Sequence, residues 1–262
     1  MEELRQPKRV SKANPGGGVF LSIIIPAHNE ALRLPATLEK VVAFLADQPY
    51  SAEVLVVENG SSDGTAEVAE AFAVGAGSVR VFREQRRGKG LAVRRGMLEA
   101  RGEFRFLCDA DLSMPIDEVN RFLPPALDGV DVAVGSREAP DSVVIDRPMR
   151  RFIGRVFNLI VRMLGLTTLR DTQCGFKCFR AAAARDVFAL QRLEGMAFDA
   201  EVLFIARRRG YRIAEVPVTW QIDRDSRVRL LQDSLAMGKD LLAIRWNGWR
   251  GSYDGQEQSR AT

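Results

Sequence analysis

Two aspartates one residue apart, Asp109 and Asp111, follow directly on the largely apolar run Phe104-Arg105-Phe106-Leu107-Cys108. On an extended segment, residues i and i+2 face the same way, so both carboxylates can meet one ion. Oxygen donors of this kind suit Mg2+ or Mn2+, with phosphate oxygens and water completing the shell. The plainer alternative is an acidic turn that caps a helix. Two further polar clusters end apolar runs: Pro26-Ala27-His28-Asn29-Glu30 and Glu58-Asn59-Gly60-Ser61. Acidic groups gathered at one edge repel one another unless a cation and an anionic ligand join them. Gly88-Lys89-Gly90, preceded by Arg86 and Arg87, opens a helical stretch. A helix N-terminus of that kind suits a phosphate, and a solvated turn is the alternative.

These clusters need a scaffold that brings them together. Short β-branched or apolar runs predict strands at 20–25, 53–57, 79–82, 104–108 and 131–136, the first stopped by Pro26. Amphipathic stretches at 34–47, 65–74 and 88–100 predict helices between them. That alternation is the pattern of an α/β fold with a mostly parallel sheet flanked by helices. In such sheets ligands bind beyond the carboxyl ends of the strands, which is where the clusters fall. After Ser136 the alternation fades. Helices are expected at 147–166, 181–190, 199–209 and 230–246, a loop at 167–177 and extended chain at 211–222. Residues 1–18 read as a flexible arm, and the last dozen residues as frayed.

Composition narrows the classes. The chain has 262 residues with 46% hydrophobic and 27% charged, an ordinary globular mix. Its formal charge of +4 is too mild to argue for nucleic acid. A single histidine, His28, rules out His-rich metal sites and makes a Ser-His-Asp triad unfavoured. Three cysteines, Cys108, Cys174 and Cys178, form no disulfide framework and fit a reducing cytoplasm. The polar N-terminus lacks a signal-peptide core, and no run of about 18 apolar residues is present to span a bilayer. Neither a G-x-G-x-x-G after the first strand nor a Walker A pattern occurs.

Four segments, in order, resemble the family 2 glycosyltransferases of the GT-A (nucleotide-diphospho-sugar transferase) fold. They are Ser22-Ile23-Ile24-Ile25-Pro26-Ala27-His28-Asn29-Glu30, Val56-Val57-Glu58-Asn59-Gly60-Ser61-Ser62-Asp63-Gly64-Thr65, Gly88-Lys89-Gly90 and Phe106-Leu107-Cys108-Asp109-Ala110-Asp111. Gly135-Ser136-Arg137, Asp171-Thr172-Gln173-Cys174-Gly175-Phe176-Lys177 and Phe198-Asp199-Ala200-Glu201 are similar to the polyprenyl-phosphate branch, its dolichyl-phosphate glucosyltransferases above all. The resemblance covers roughly 20–230. It implies a catalytic domain at 19–229, with a nucleotide-sugar half (19–136) and an acceptor half (137–229), followed by a C-terminal amphipathic helix and tail (230–262).

The resemblance also implies roles. Pro26, Ala27, His28 and Glu30 would line the base and ribose pocket, with Glu58 at its edge, Lys89 on the nucleotide and Ala110 alongside. Asp109 and Asp111 would hold the metal, Asp111 more directly. Ser113 stands where mannose synthases often carry a third ligand, Gln. Arg137 would meet the acceptor phosphate, with Arg227 and Arg229 closing over the phosphates or simply forming a solvated charge run. Asp171, Gln173, Asp199 and Glu201 would support the sugar or its loop. A packed loop with a buried ion pair is the plainer reading of Asp171 and Lys177, and an acid-favouring helix N-terminus that of Asp199 and Glu201.

The implied reaction moves a hexose, glucose by subgroup likeness, from a nucleotide sugar such as UDP-glucose to a polyprenyl or dolichyl phosphate with inversion. GDP-mannose as donor, or another acceptor, stays open, as does a homo-oligomer. An acceptor phosphate is already ionised near neutral pH, so no strong general base is needed. In the stretch 147–166, Arg147, Arg151, Arg155 and Arg162 share one helical face. Phe152, Val156, Leu159, Ile160, Met163 and Leu164 lie opposite. Such a helix suits the surface of an anionic membrane, at the cytoplasmic face, or else packs internally. Trp246 and Trp249 could sit at headgroup level.

Overall fold

A computed structural model of the chain describes residues 17–146, 148–221 and 230–254. The readings of 1–16 as an arm, of Arg147, and of Arg227 and Arg229 lie outside the described residues. The strands are β1 (Leu21–Ala27), β2 (Ala52–Asn59), β3 (Val79–Glu84), β4 (Phe104–Leu107), β5 (Val132–Ser136), β6 (Val143–Ile145), β7 (Lys177–Arg180), β8 (Ile213–Pro217) and β9 (Thr219–Gln221). The helices are α1 (Leu34–Ala46), α2 (Thr65–Gly75), α3 (Lys89–Glu99), α4 (Pro148–Met163), α5 (Ala181–Leu190), α6 (Phe198–Arg208) and α7 (Leu230–Trp249). Seven strands form one sheet in the order β3-β2-β1-β4-β7-β5-β8, and β6 pairs with β9 apart from it.

Every pairing in the large sheet is parallel except those of β7, which runs against β4 and β5. Alternate residues of β1 feed two cores. Leu21, Ile23, Ile25 and Ala27 pack with α1, α2 and the 3-10 turn at Ile116–Phe122, whereas Ile24 packs with α3, α5 and α6. A strand buried on both faces explains the unbroken β-branched run. Pro26 proves part of β1 rather than its stop, pairing in register with Val57. The carbonyl of Ile24 accepts from Cys108 N–H on the β4 side. By alternation Pro26 faces that same side, one step beyond the end of β4, so its missing N–H costs no ladder bond.

Two expectations need correction. The loop expected to run through Lys177 ends one residue early, because Lys177 starts β7. The last dozen residues are not all loose: Tyr253 is fully buried, in edge-to-face contact with Phe204. Helix α7 itself packs Met237, Leu241 and Ile244 into the same core as α6.

Candidate active site

The first wall is built where β1 and β2 end. Asn29 adopts a left-handed φ of 56°, and its backbone N–H donates to Ser61 Oγ at 3.0 Å. Its side-chain oxygen accepts from Ser62 N–H at 2.9 Å. Glu30 N–H donates to Thr65 Oγ1 at 2.8 Å, and His28 Nδ1 lies 2.9 Å from Asn59 O. The turn after β2 stays compact because Glu58, buried, accepts from Ser61 N–H, and Gly60 and Gly64 take positive φ. Pro26, Ala27, His28, Glu30 and Glu58 are thus brought to one edge.

Next comes the basic turn. Asn59 Nδ2 donates to Gly88 O at 2.6 Å, tying the end of β2 to the start of α3. Lys89, at the first position of α3, reaches across to Asp109, Nζ to Oδ1 2.7 Å. Burial alone would lower Lys89, but Asp109, Asp199 and Asp111 outweigh it and hold the ammonium above its usual value. Asp109 responds in kind. Burial opposes its charge, yet Lys89, Lys177 and Arg137 hold it below the ordinary carboxylate range.

The Asp109–Asp111 segment is a turn rather than an extended run. Leu112 N–H donates to Asp109 O at 3.2 Å with Leu112 at φ 45°, and Asp111 accepts from Ser113 N–H at 3.0 Å. Strand β4 stops at Leu107, so no partner keeps the chain straight. The carboxylates still sense each other. Asp111, much the more exposed, is raised by desolvation and by repulsion from Asp109. Ala110 is buried, its carbonyl accepting from Thr37. Among the described residues no three acidic, cysteine or histidine side chains are grouped to hold a metal. Two oxygen ligands with mutual repulsion fit a cation whose remaining ligands are phosphate and water, so the donor set is compatible with Mg2+ or Mn2+.

The far wall is the loop that leads into β7. Asp171, 1% exposed, accepts from Arg137 Nε at 2.7 Å and Nη2 at 3.0 Å, and from Arg137 N–H at 3.1 Å. Burial would raise Asp171, but Arg137 holds it below the carboxylate range. Lys177, with no exposed surface, donates to Cys174 O at 2.6 Å and sits 2.6 Å from Asp199 Oδ1. The plainer alternative for Asp171 and Lys177, a packed loop with a buried ion pair, has its counterpart in two pairs, Arg137 with Asp171 and Lys177 with Asp199. Sequence offered no means of matching them, because each pair joins segments more than 20 residues apart. Desolvation dominates at Asp199 and raises it despite Lys177. Gln173 donates its N–H to Asp171 and contacts Met237 of α7.

Gly175 closes the site, and the sequence reading assigned it no role of its own. An added Cβ there would lie 2.7 Å from Asp109 Cγ and closer still to Oδ2. The loop carrying the Arg137 partner is therefore in direct contact with the first aspartate of the pair. Glu201 stands apart: its partners are Arg192, Leu193 and Tyr253. A mostly parallel sheet, an acidic turn at the end of its central strand and a lysine at an adjoining helix N-terminus make an arrangement suited to phosphorylated ligands at the sheet edge.

The model of glycosyl transferase family 2 matches residues 22–188, and the chain belongs to that family. It is 33% identical over 260 residues to a dolichyl-phosphate beta-glucosyltransferase of Dictyostelium discoideum, covering 94% of this chain and 80% of the relative. The human protein of that name is 34% identical, over 89% of this chain and 77% of its own. Among solved structures, mannosyl-3-phosphoglycerate synthase from Rubrobacter xylanophilus superposes with a TM-score of 0.65 at 19% identity, covering 93% of this chain and 79% of that one. Glucosyl-3-phosphoglycerate synthase from Mycobacterium tuberculosis, crystallised with Mn2+ and UDP-glucose, gives 0.60 at 20%, over 92% and 81%. The fold is the expected GT-A fold.

Proposed function

We propose that this chain moves a glucosyl unit from UDP-glucose to a polyprenyl or dolichyl phosphate, inverting the anomeric centre. The observation that carries the reading is its likeness, over about nine-tenths of its length, to dolichyl-phosphate beta-glucosyltransferases. The geometry supports it. His28, Glu30 and Glu58 hold the nucleoside end, and Lys89 the diphosphate. Asp109 and Asp111 would hold Mg2+ or Mn2+, which when bound would offset the charge on the departing diphosphate.

Arg137 takes the acceptor phosphate. Asp171 grips its Nε and Nη2, orienting the guanidinium and leaving Nη1 to meet phosphate oxygens. His28 turns Nδ1 to the Asn59 carbonyl and Nε2 to the side-chain amide of Asn29, and Asp171 and Asp199 are paired with cations. None is placed as a ready base, which suits an acceptor that arrives ionised. The work of the site is then alignment and charge balance.

Helix α4 supports a membrane-surface location. Met149, Phe152, Val156, Leu159, Ile160 and Met163 on one face are 67%, 63%, 41%, 48%, 43% and 78% exposed. Phe157 and Val161 point inward instead, and Leu164 is half-buried. Arg151 and Arg155 pair with Glu138, next to Arg137, so this face adjoins the acceptor side. Val143 and Ile145 of β6 and Leu242, Trp246 and Trp249 of α7 are exposed as well. Among the described residues no helix is long and apolar enough to cross a membrane. Apolar side chains beside arginines fit an anionic leaflet. The three cysteines are free and buried, in keeping with the cytoplasmic face.

The test is transfer itself. Radiolabelled UDP-glucose, polyprenyl phosphate and Mn2+ should give label that extracts into organic solvent, with far less from GDP-mannose and none in EDTA. Label passing only to water-soluble products overturns the acceptor, and undiminished turnover in EDTA overturns the metal.

A further inference from the structure

Glu201 has no exposed surface and makes no salt bridge among the described residues. Burial raises it, against hydrogen bonds from Leu193, Tyr253 and Arg192 and the charge of Arg192. Both of its oxygens accept from Arg192 N–H at 3.1 Å, Oε2 also from Leu193 N–H at 2.8 Å, and Oε1 also from the Tyr253 hydroxyl at 2.7 Å. A buried carboxyl is costly unless fully bonded, so this one fixes the backbone of 192–193 firmly.

That backbone bears directly on the Lys89 turn. Gln191 Nε2 bridges Gly90 O at 2.9 Å and Leu193 O at 2.8 Å, and Leu91 N–H donates to Glu194 O. A Cβ on Gly88 would stand 2.5 Å from Glu194 O, and one on Gly90 2.6 Å from Leu193 O. The two glycines on either side of Lys89 therefore lie flat against the 191–194 segment, while Asn59 holds Gly88 from the other side. Lys89 is clamped at its backbone, and the clamp is set by Glu201 and by Tyr253 beyond α7.

We propose that Glu201 and Tyr253 are positioning residues for Lys89, so that the segment following α7 takes part in binding a nucleoside diphosphate. This rests on the reading of Lys89 as the donor's diphosphate contact. Tyr253→Phe keeps the ring against Phe204 and removes only the hydroxyl, and Glu201→Gln keeps the shape. Hydrogen exchange should quicken in 88–92 in both variants and stay unchanged in 177–180. The UDP dissociation constant and the donor KM should rise about fivefold, a loss of about 1 kcal/mol, with kcat and the acceptor KM within about twofold.

Unaltered exchange in 88–92, or UDP binding equal to wild type alongside a lower melting temperature, overturns the proposal and leaves both residues merely structural. Wild-type protein that binds no UDP overturns the nucleotide reading instead. The exchange measurement then still decides whether Glu201 and Tyr253 hold the turn.

Discussion

Gly175 shows how little room the acidic pair has. A Cβ on Gly175 would crowd Asp109 Oδ2, while Lys89 holds Oδ1, so both carboxylate oxygens are spoken for. A methyl group there must push the carboxylate or the loop aside. A displacement of about 1 Å in a reacting constellation costs on the order of a hundredfold in rate. Gly175→Ala should therefore lower kcat by about that factor while secondary structure, followed by circular dichroism, is retained; near-normal turnover would show that the contact is slack. At this scale sequence was informative about identities and silent about partners. Asp109, Asp111 and Lys89 stand out because their chemistry sits in short contiguous motifs. The pairings Arg137 with Asp171 and Lys177 with Asp199 depend on how distant segments meet.

At the scale of elements, the reversed strand β7 decides which residues meet on the side proposed for the acceptor. In a parallel sheet, strand ends collect at the ligand edge and strand starts at the other. Running backwards, β7 puts its first residue, Lys177, at that edge, level with Leu107 and Val134. Strands β1 and β2 were legible because their runs, buried on both faces, are unbroken and largely β-branched. Strand β7 was not, since Lys177-Cys178-Phe179-Arg180 opens with a lysine and runs straight into the alanines of α5. The loop before it depends on the Arg137–Asp171 pair. Asp171→Asn leaves a half-buried guanidinium without its counter-charge and should cost on the order of 3 kcal/mol at pH 7. Because Asp171 titrates below its unfolded value, its contribution is full above about pH 4 and is lost as pH falls through the depressed native value. Urea midpoints of wild type and variant should thus differ at pH 7 and draw together as pH falls below about 4; a gap as wide at pH 2 as at pH 7 would refute the linkage.

For the molecule as a whole, surface chemistry complements the sheet edge. Sequence periodicity separated arginines from apolar residues on α4, yet could not say which apolar residues were covered; Leu164, placed with the apolar face, packs against the core. In the structure the core takes a third stripe, Phe157 and Val161, and leaves the Phe152–Val156–Ile160 side bare. Full-length protein should co-sediment with vesicles containing anionic lipid at low salt. The double variant Phe152→Glu, Ile160→Glu should remain in the supernatant while keeping its melting temperature and UDP affinity; binding unchanged by both glutamates would discard this face.

The bare flank of α4 adjoins Glu138 and so lies near Arg137, the residue proposed to meet the acceptor phosphate. An enzyme seated that way meets its lipid by sliding within a plane, and its speed follows how crowded the acceptor is among neighbouring lipids rather than how much is present per litre. Spreading the same amount of polyprenyl phosphate through more inert lipid would then slow it, although nothing in the tube had been diluted.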